Sequence, residues 1–163
     1  MKIACAFDHA GVPLRDAVLG AVRAAGHEPL DLGVSSPDPV DYPDIALRVT
    51  GEVISGAVQR GVLCCGSGAG VSVAASKVPG IRAATVHDEY SAHQCVEHDD
   101  VNVLCMGARV IGAALASEIV ERYAGAHYTG GEPGSERHAR RLAKVLEIER
   151  EALSGGLPPP GDG

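Results

Sequence analysis

Short apolar runs of strand length alternate with stretches of helical spacing along nearly the whole chain, and that alternation decides what it can fold into. Lys2–Phe7 reads as a first strand. Leu14, Val18, Val22 and Ala25 then recur at the spacing of one helix face, with Pro13 near the start and Gly26 past the end. Glu28–Leu32 gives a second strand, residues 33–42 a loop marked by SSPDP, and Ile45, Val49 and Val53 a second helix. Gly61–Cys65 is the third strand, followed by a glycine-rich turn and a small-residue helix over Val71–Val78. Arg82–Val86 and Asn102–Met106 read as strands four and five, separated by a helix across Asp88–His98. Leu115, Ile119 and Tyr123 mark a further helix, and Ser135–Leu153 a last one.

Five strands alternating with helices predict right-handed crossovers and one parallel sheet. The expected fold is α/β: a three-layer α/β/α Rossmann-like (flavodoxin-like) domain with a five-stranded parallel sheet and an extra C-terminal helix. Residues 1–153 are expected to form this one domain and Ser154–Gly163, SGGLPPPGDG, a disordered Gly/Pro-rich tail. With Tyr 4, Phe 1 and Trp 0, the core must be filled by Val, Ile, Leu and Ala, as suits a parallel sheet covered by helices. Few rings also argue against a stacking platform for single-stranded nucleic acid.

Charge excludes further classes. Lys+Arg 14 against Asp+Glu 21 gives a net charge of −7, which disfavours an extended nucleic-acid or anionic-membrane surface. A small phosphorylated ligand held by a few local cations remains compatible. The five cysteines, Cys5, Cys64, Cys65, Cys95 and Cys105, are odd in number and form no CxxC, so zinc-ribbon and thioredoxin-type readings lose their support. The apolar run at the N-terminus, about six residues, is too short for a signal peptide or a membrane span. A reduced, cytoplasmic setting is the expectation.

In folds of this class ligands sit beyond the carboxyl ends of the strands. Three reactive sets fall there: Asp8-His9-Ala10-Gly11 after strand one, Cys65 with Gly66-Ser67-Gly68-Ala69-Gly70 after strand three, and His87-Asp88-Glu89 after strand four. The glycine turn can aim successive backbone N–H groups inward as an anion-binding nest, whose positive end also favours a thiolate at Cys65. The same residues also suit a tight turn beside a buried cysteine. Period-2 alternation puts Cys64 and Cys65 on opposite faces, so only one of them can serve the site. The Walker pattern is absent, since no Gly-Lys pair exists, and Val71 stands where a dinucleotide fingerprint needs its third glycine.

His9 and His98 can transfer protons near neutral pH or bind an anion, or can be surface histidines. Asp8 can accept from a ligand hydroxyl or cap the next turn, and Asp41 can equally be an N-cap. Arg137 and Arg141, four apart on the last helix, share a face as a phosphate clamp requires, or form a solvated charged face.

Taken together, FDHAG (Phe7–Gly11), DYPD (Asp41–Asp44), CGSGAG (Cys65–Gly70), AASKVPGIRAA (Ala74–Ala84), EHDDVNVLCMGARVIG (Glu97–Gly112) and RHARR (Arg137–Arg141) resemble the ribose-5-phosphate isomerase B family, which includes the galactose-6-phosphate isomerase subunits. The resemblance implies interconversion of an aldose phosphate and a ketose phosphate through a cis-enediolate, with no cofactor and no metal. By the same resemblance Cys65 is the base, Ser67 and the amides of Gly66, Gly68, Ala69 and Gly70 hold the enediolate oxygens, and His98 opens the sugar ring. Asp8 would meet ring hydroxyls, with Asp41, Tyr42 and Asp99 also on the sugar; His9, Arg109, Arg137 and Arg141 would bind the phosphate. The family forms dimers or tetramers whose sites are shared between subunits, so His98 and the arginines are expected to reach a neighbour's Cys65.

Three departures mark this chain within the resemblance. It reads His98-Asp99-Asp100 where the family usually has HND, so a carboxylate replaces an amide expected on the sugar. Ser67 stands for the usual threonine, and GGEPGSERH is longer than the usual GGRH before the arginines. The expected substrate is ribose 5-phosphate. Alternatives are a tetrose or hexose phosphate such as erythrose, allose or galactose 6-phosphate, or a non-catalytic phosphosugar- or nucleotide-binding protein. The thiol at Cys65 argues against the last.

Overall fold

The computed structural model describes residues 1–159; residues 160–163 of the expected tail lie outside it. β1 (Lys2–Phe7), β2 (Glu28–Asp31), β3 (Arg60–Cys65), β4 (Ala83–Thr85) and β5 (Val103–Gly107) form one sheet in the order β2-β1-β3-β5-β4. Every neighbouring pair is parallel, with Phe7 opposite Cys64 and Cys65 opposite Gly107 at the carboxyl edge. The expected Rossmann-like α/β fold is thus present, with β5 inserted between β3 and β4. Both edges are blunted: β2 carries Pro29, and β4 is three residues long.

Among the described residues, α1 (Arg15–Ala24), α2 (Tyr42–Ile54), α3 (Ala69–Ala75) and α4 (Glu89–Asp99) connect the strands, and α5 (Ala113–Gly125) and α6 (Glu136–Leu153) follow β5. Side chains alternate along each central strand, and the core divides accordingly. Ile3, Cys5, Phe7, Val62, Cys64, Leu104 and Met106 pack with α1, α4 and α5. Ala4, Ala6, Leu63, Cys65, Val103 and Cys105 pack with α2 and α3. Aliphatic residues fill most of both layers, so truncating one such as Leu63 or Leu104, each fully buried, should cost roughly 2–5 kcal/mol.

Local chemistry sets the helix ends. Past α1, Gly26 takes φ +79°, its N–H donates to the Arg23 carbonyl, and the His27 N–H donates to the Val22 carbonyl, a Schellman closure. A short 3₁₀ turn over Val12–Leu14, with Pro13 in its first turn, precedes α1. α3 stops at Ala75, short of the expected Val78; Lys77 and Val78 continue as a turn because Pro79 bars helical backbone before it. No helix among the described residues is long and apolar enough to cross a membrane.

The strand order locates a crevice. The chain leaves β1 over one face toward β2, whereas it leaves β3 over the other face toward β4. The connections therefore diverge between β1 and β3, the switch point at which sheets of this class open a ligand site. The segments leaving these two strands begin with Asp8 and Gly66.

Candidate active site

A cavity of about 380 Å³ lies at this switch point, lined by Asp8, His9, Ala10, Tyr42, Cys65, Gly66, Ser67, Gly70, Arg109 and Val110. A cleft of about 430 Å³ elsewhere, lined by α4 and α5 residues with His93 and Glu97, holds no thiol.

Asp8 is almost wholly buried, and its Oδ1 accepts the amides of Ala10 at 2.9 Å and Gly11 at 2.8 Å. One carboxylate oxygen therefore fastens the turn after β1 while the residue also lines the cavity. His9 is held by the Val40 amide, which donates to its Nδ1 at 3.2 Å. Asp41 stands at the N-cap of α2, but its side chain makes no capping bond. Tyr42, the next residue, lies over the glycine loop: a Cβ added at Gly70 would sit 3.2 Å from its ring.

The loop after β3 is pinned at its base, since Ala108 N–H donates to the Cys65 carbonyl and Arg109 N–H to that of Gly66. Gly68 N–H donates to Cys65 Sγ at 3.1 Å, and Ala69 N–H to Ser67 Oγ at 3.3 Å. Among the described residues the amides of Gly66, Ser67 and Gly70 have no acceptor, so three donors remain around the cavity for an anionic oxygen. Arg109 reaches over Gly66, its Nε 3.5 Å from where a Cβ would be.

Burial pushes Cys5 and Cys105 up to about 12 and Cys95 to about 11, and drives Cys64 well upward. All five cysteines are free, and Cys65 is the one that borders the cavity. Among the described residues no group of three His, Cys, Asp or Glu side chains is arranged to hold a metal ion.

The third predicted set at the strand ends is structural. His87 Nε2 accepts the Gly107 amide at 2.9 Å, Asp88 caps α4 by accepting the Ser91 amide at 2.7 Å, and Glu89 lies 3.6 Å from Arg122.

His98, Asp99, Arg137 and Arg141 do not line the cavity of their own chain. His98 lies in the last turn of α4 with Gln94 Nε2 2.8 Å from its Nδ1, and Asp99 borders an apolar hollow with Leu142 and Val145 of α6. Arg137 and Arg141 are exposed on the first turns of α6. Sequence reasoning missed His138, the buried ring between these arginines, although it lies inside RHARR; a polar residue facing inward on a charged helix was the available clue.

A thiol, unpaired amides and a cation gather around one cavity of a parallel α/β sheet, a set of groups able to move a proton and to steady an anionic oxygen. A family model described as Ribose/Galactose Isomerase matches residues 3–145. The chain is 40% identical over 149 residues to ribose-5-phosphate isomerase B of Escherichia coli, covering 91% of this chain and 97% of that protein. It is 36% identical over 133 residues to D-erythrulose-4-phosphate isomerase of Pectobacterium atrosepticum, covering 80% and 87%. The solved structure of Clostridium thermocellum ribose-5-phosphate isomerase B superposes with a TM-score of 0.86 at 42% identity, covering 93% of this chain and 99% of that one. The chain belongs to the Ribose/Galactose Isomerase family and is an aldose–ketose isomerase.

Proposed function

We propose that this chain interconverts ribose 5-phosphate and ribulose 5-phosphate without a cofactor, through a cis-enediolate, with Cys65 as the base. The observation that carries the reading is Cys65 Sγ at the cavity wall beside the unpaired amides of Gly66, Ser67 and Gly70. With the ring opened by His98, the Cys65 thiolate takes the proton from C2. The C2–H electron pair becomes the C1–C2 double bond, and the carbonyl pair moves onto O1. The amides and Ser67 hydroxyl hold the enediolate oxygens, and aligned donors do so without reorganising. The O2 hydroxyl proton then passes to O1, leaving the charge on O2, and return of the abstracted proton from Cys65 to C1 as O2 becomes the carbonyl completes the exchange. Asp8 accepts from sugar hydroxyls beside Asp41 and Tyr42, with Asp99 supplied by a neighbouring chain, while His9 and Arg109, joined by the neighbour's Arg137 and Arg141, bind the phosphate. Remote phosphate binding supplies positioning at the reacting end.

His98 and the α6 arginines stand outside the cavity of their own chain, which supports a homodimer or tetramer in which a neighbour completes each site. Five unpaired thiols support a cytoplasmic setting. Similarity to a D-erythrulose-4-phosphate isomerase favours a tetrose phosphate as the second reading.

The test is exchange of the C2 proton with solvent deuterium on ribose 5-phosphate, erythrose 4-phosphate and allose 6-phosphate, with wild type and Cys65→Ala compared. Exchange fastest on ribose 5-phosphate and abolished by Cys65→Ala is expected. Exchange surviving in Cys65→Ala would move the base elsewhere, and a faster tetrose would transfer the substrate assignment.

A further inference from the structure

α6 buries one side chain, and it is a histidine. His138 is 3% exposed, whereas the rest of the helix is exposed or half-buried. The groups around it fix which nitrogen carries its proton. Arg137 Nε lies 3.0 Å from His138 Nε2, and because a guanidinium only donates, Nε2 must accept. On the other side Nδ1 lies 3.1 Å from Thr129 Oγ1, whose own hydrogen goes to the Glu97 carbonyl at 2.8 Å. The Thr129 oxygen therefore accepts, and Nδ1 carries the proton. The face of the ring lies against His98, with centroids 3.9 Å apart and planes 38° from parallel.

We propose that His138 is a positioning residue of the site: as the neutral Nδ1–H imidazole it holds Arg137 through the guanidinium Nε and backs the ring of His98, presenting both to the substrate as one unit. This rests on the phosphate role of Arg137 and the ring-opening role of His98 given above. Protonation at Nε2 would remove the acceptor from Arg137 and set cation against cation. Burial first, then His98, Arg137 and Arg141, holds His138 below its usual value, with Asp99 acting in the opposite direction. His98 and Asp99 face it from α4, and Arg137 and Arg141 flank it on α6, so the ring stays neutral into mildly acidic solution.

Two substitutions separate the two nitrogens. In His138→Gln the side-chain oxygen can take the place of Nε2 and still accept from Arg137. In His138→Asn the amide can take the place of Nδ1 and donate to Thr129, leaving Arg137 without an acceptor. His138→Asn should raise KM for ribose 5-phosphate roughly tenfold with a smaller change in kcat, and His138→Gln should restore most of the wild-type KM. KM should rise toward acid pH in wild type as His138 takes up a proton, and rise less in His138→Gln, which does not titrate.

Arg137→Ala is measured alongside. If Arg137→Ala leaves KM unchanged, the phosphate reading fails and this inference with it. If Arg137→Ala raises KM while the two His138 variants match each other, the inference alone is overturned. Nitrogen-15 NMR of the wild-type protein gives a readout that needs neither substrate nor variant: at pH 7.5 His138 should show the neutral Nδ1–H tautomer, and an Nε2–H or charged ring would refute the assignment.

Discussion

The Gly68 amide donates to Cys65 Sγ at 3.1 Å, and Gly68 can do so because it holds φ at +81° just ahead of α3. A side chain in that conformation costs about 1–2 kcal/mol. A Cβ there would also come within 3.0 Å of the Met106 carbonyl carbon. Gly68→Ala should therefore lower stability by at least that amount and shift the loop that aims the thiol, reducing kcat by roughly 10- to 100-fold. Gly20→Ala is the control: Gly20 sits inside α1 with open space around it, so alanine should add about 0.5–1 kcal/mol and leave activity unchanged. Thermal unfolding and steady-state kinetics on both variants check the pair, and an active, stable Gly68→Ala would refute the constraint.

Arg60 fastens the opposite end of β3. Its Nη2 donates to the Ala126 carbonyl at 2.7 Å, its Nη1 to that of Tyr123, and its guanidinium lies 5.2 Å from the Tyr123 ring centroid. The fork satisfies carbonyls that the end of α5 leaves open. Arg60→Lys keeps the charge but cannot span both carbonyls, so it should lose about 1–3 kcal/mol of stability with kcat/KM unchanged. Equal denaturation midpoints for the two proteins would show that the fork contributes nothing.

How much of this was legible in the sequence depended on the range of the interaction. Alternation along β1, β3 and β5 is local, and it assigned Cys64 and Cys65 to opposite layers, as the two core clusters show. The glycine loop after Cys65 was legible for the same reason. The position of β5 between β3 and β4 was not, because periodicity says that strands are parallel without saying which edge a crossover reaches. His87 and Asp88 looked chemically capable, yet both are used by backbone amides that only the fold brings to them. His138 was missed because its burial depends on Thr129 and on the last turn of α4, remote from the charged stripe around it.

Accepting the Gly107 amide requires His87 to be unprotonated at Nε2. Burial holds its imidazole below the usual 6.5, against a weaker opposite pull from Asp88. Between the folded value and 6.5 the unfolded chain binds more protons than the folded one, so stability is complete above about pH 6.5 and is lost as pH falls through the folded value. His138, also shifted down, adds a loss of the same sign. Melting temperature should accordingly drop from pH 7.5 toward pH 5. His87→Gln, which offers an oxygen acceptor and does not titrate, should flatten part of that drop. Parallel curves for the two proteins would remove His87 from the account.

A site completed by a neighbouring chain makes a prediction that a self-contained site cannot. Cys65→Ala removes the base and His98→Asn the ring-opening group, and in the proposed arrangement these belong to different subunits at any one site. A dimer containing one chain of each kind then has one site with both lesions and one with none. Refolding the two inactive proteins together should restore roughly a quarter of wild-type activity, because random pairing makes half the dimers mixed and each mixed dimer has one intact site of two. Each protein refolded alone should stay inactive. If the mixture also stays inactive while size-exclusion chromatography shows mixed dimers, Cys65 and His98 must act within one chain. His98 would then have to move away from His138, its present stacking partner, to reach the cavity.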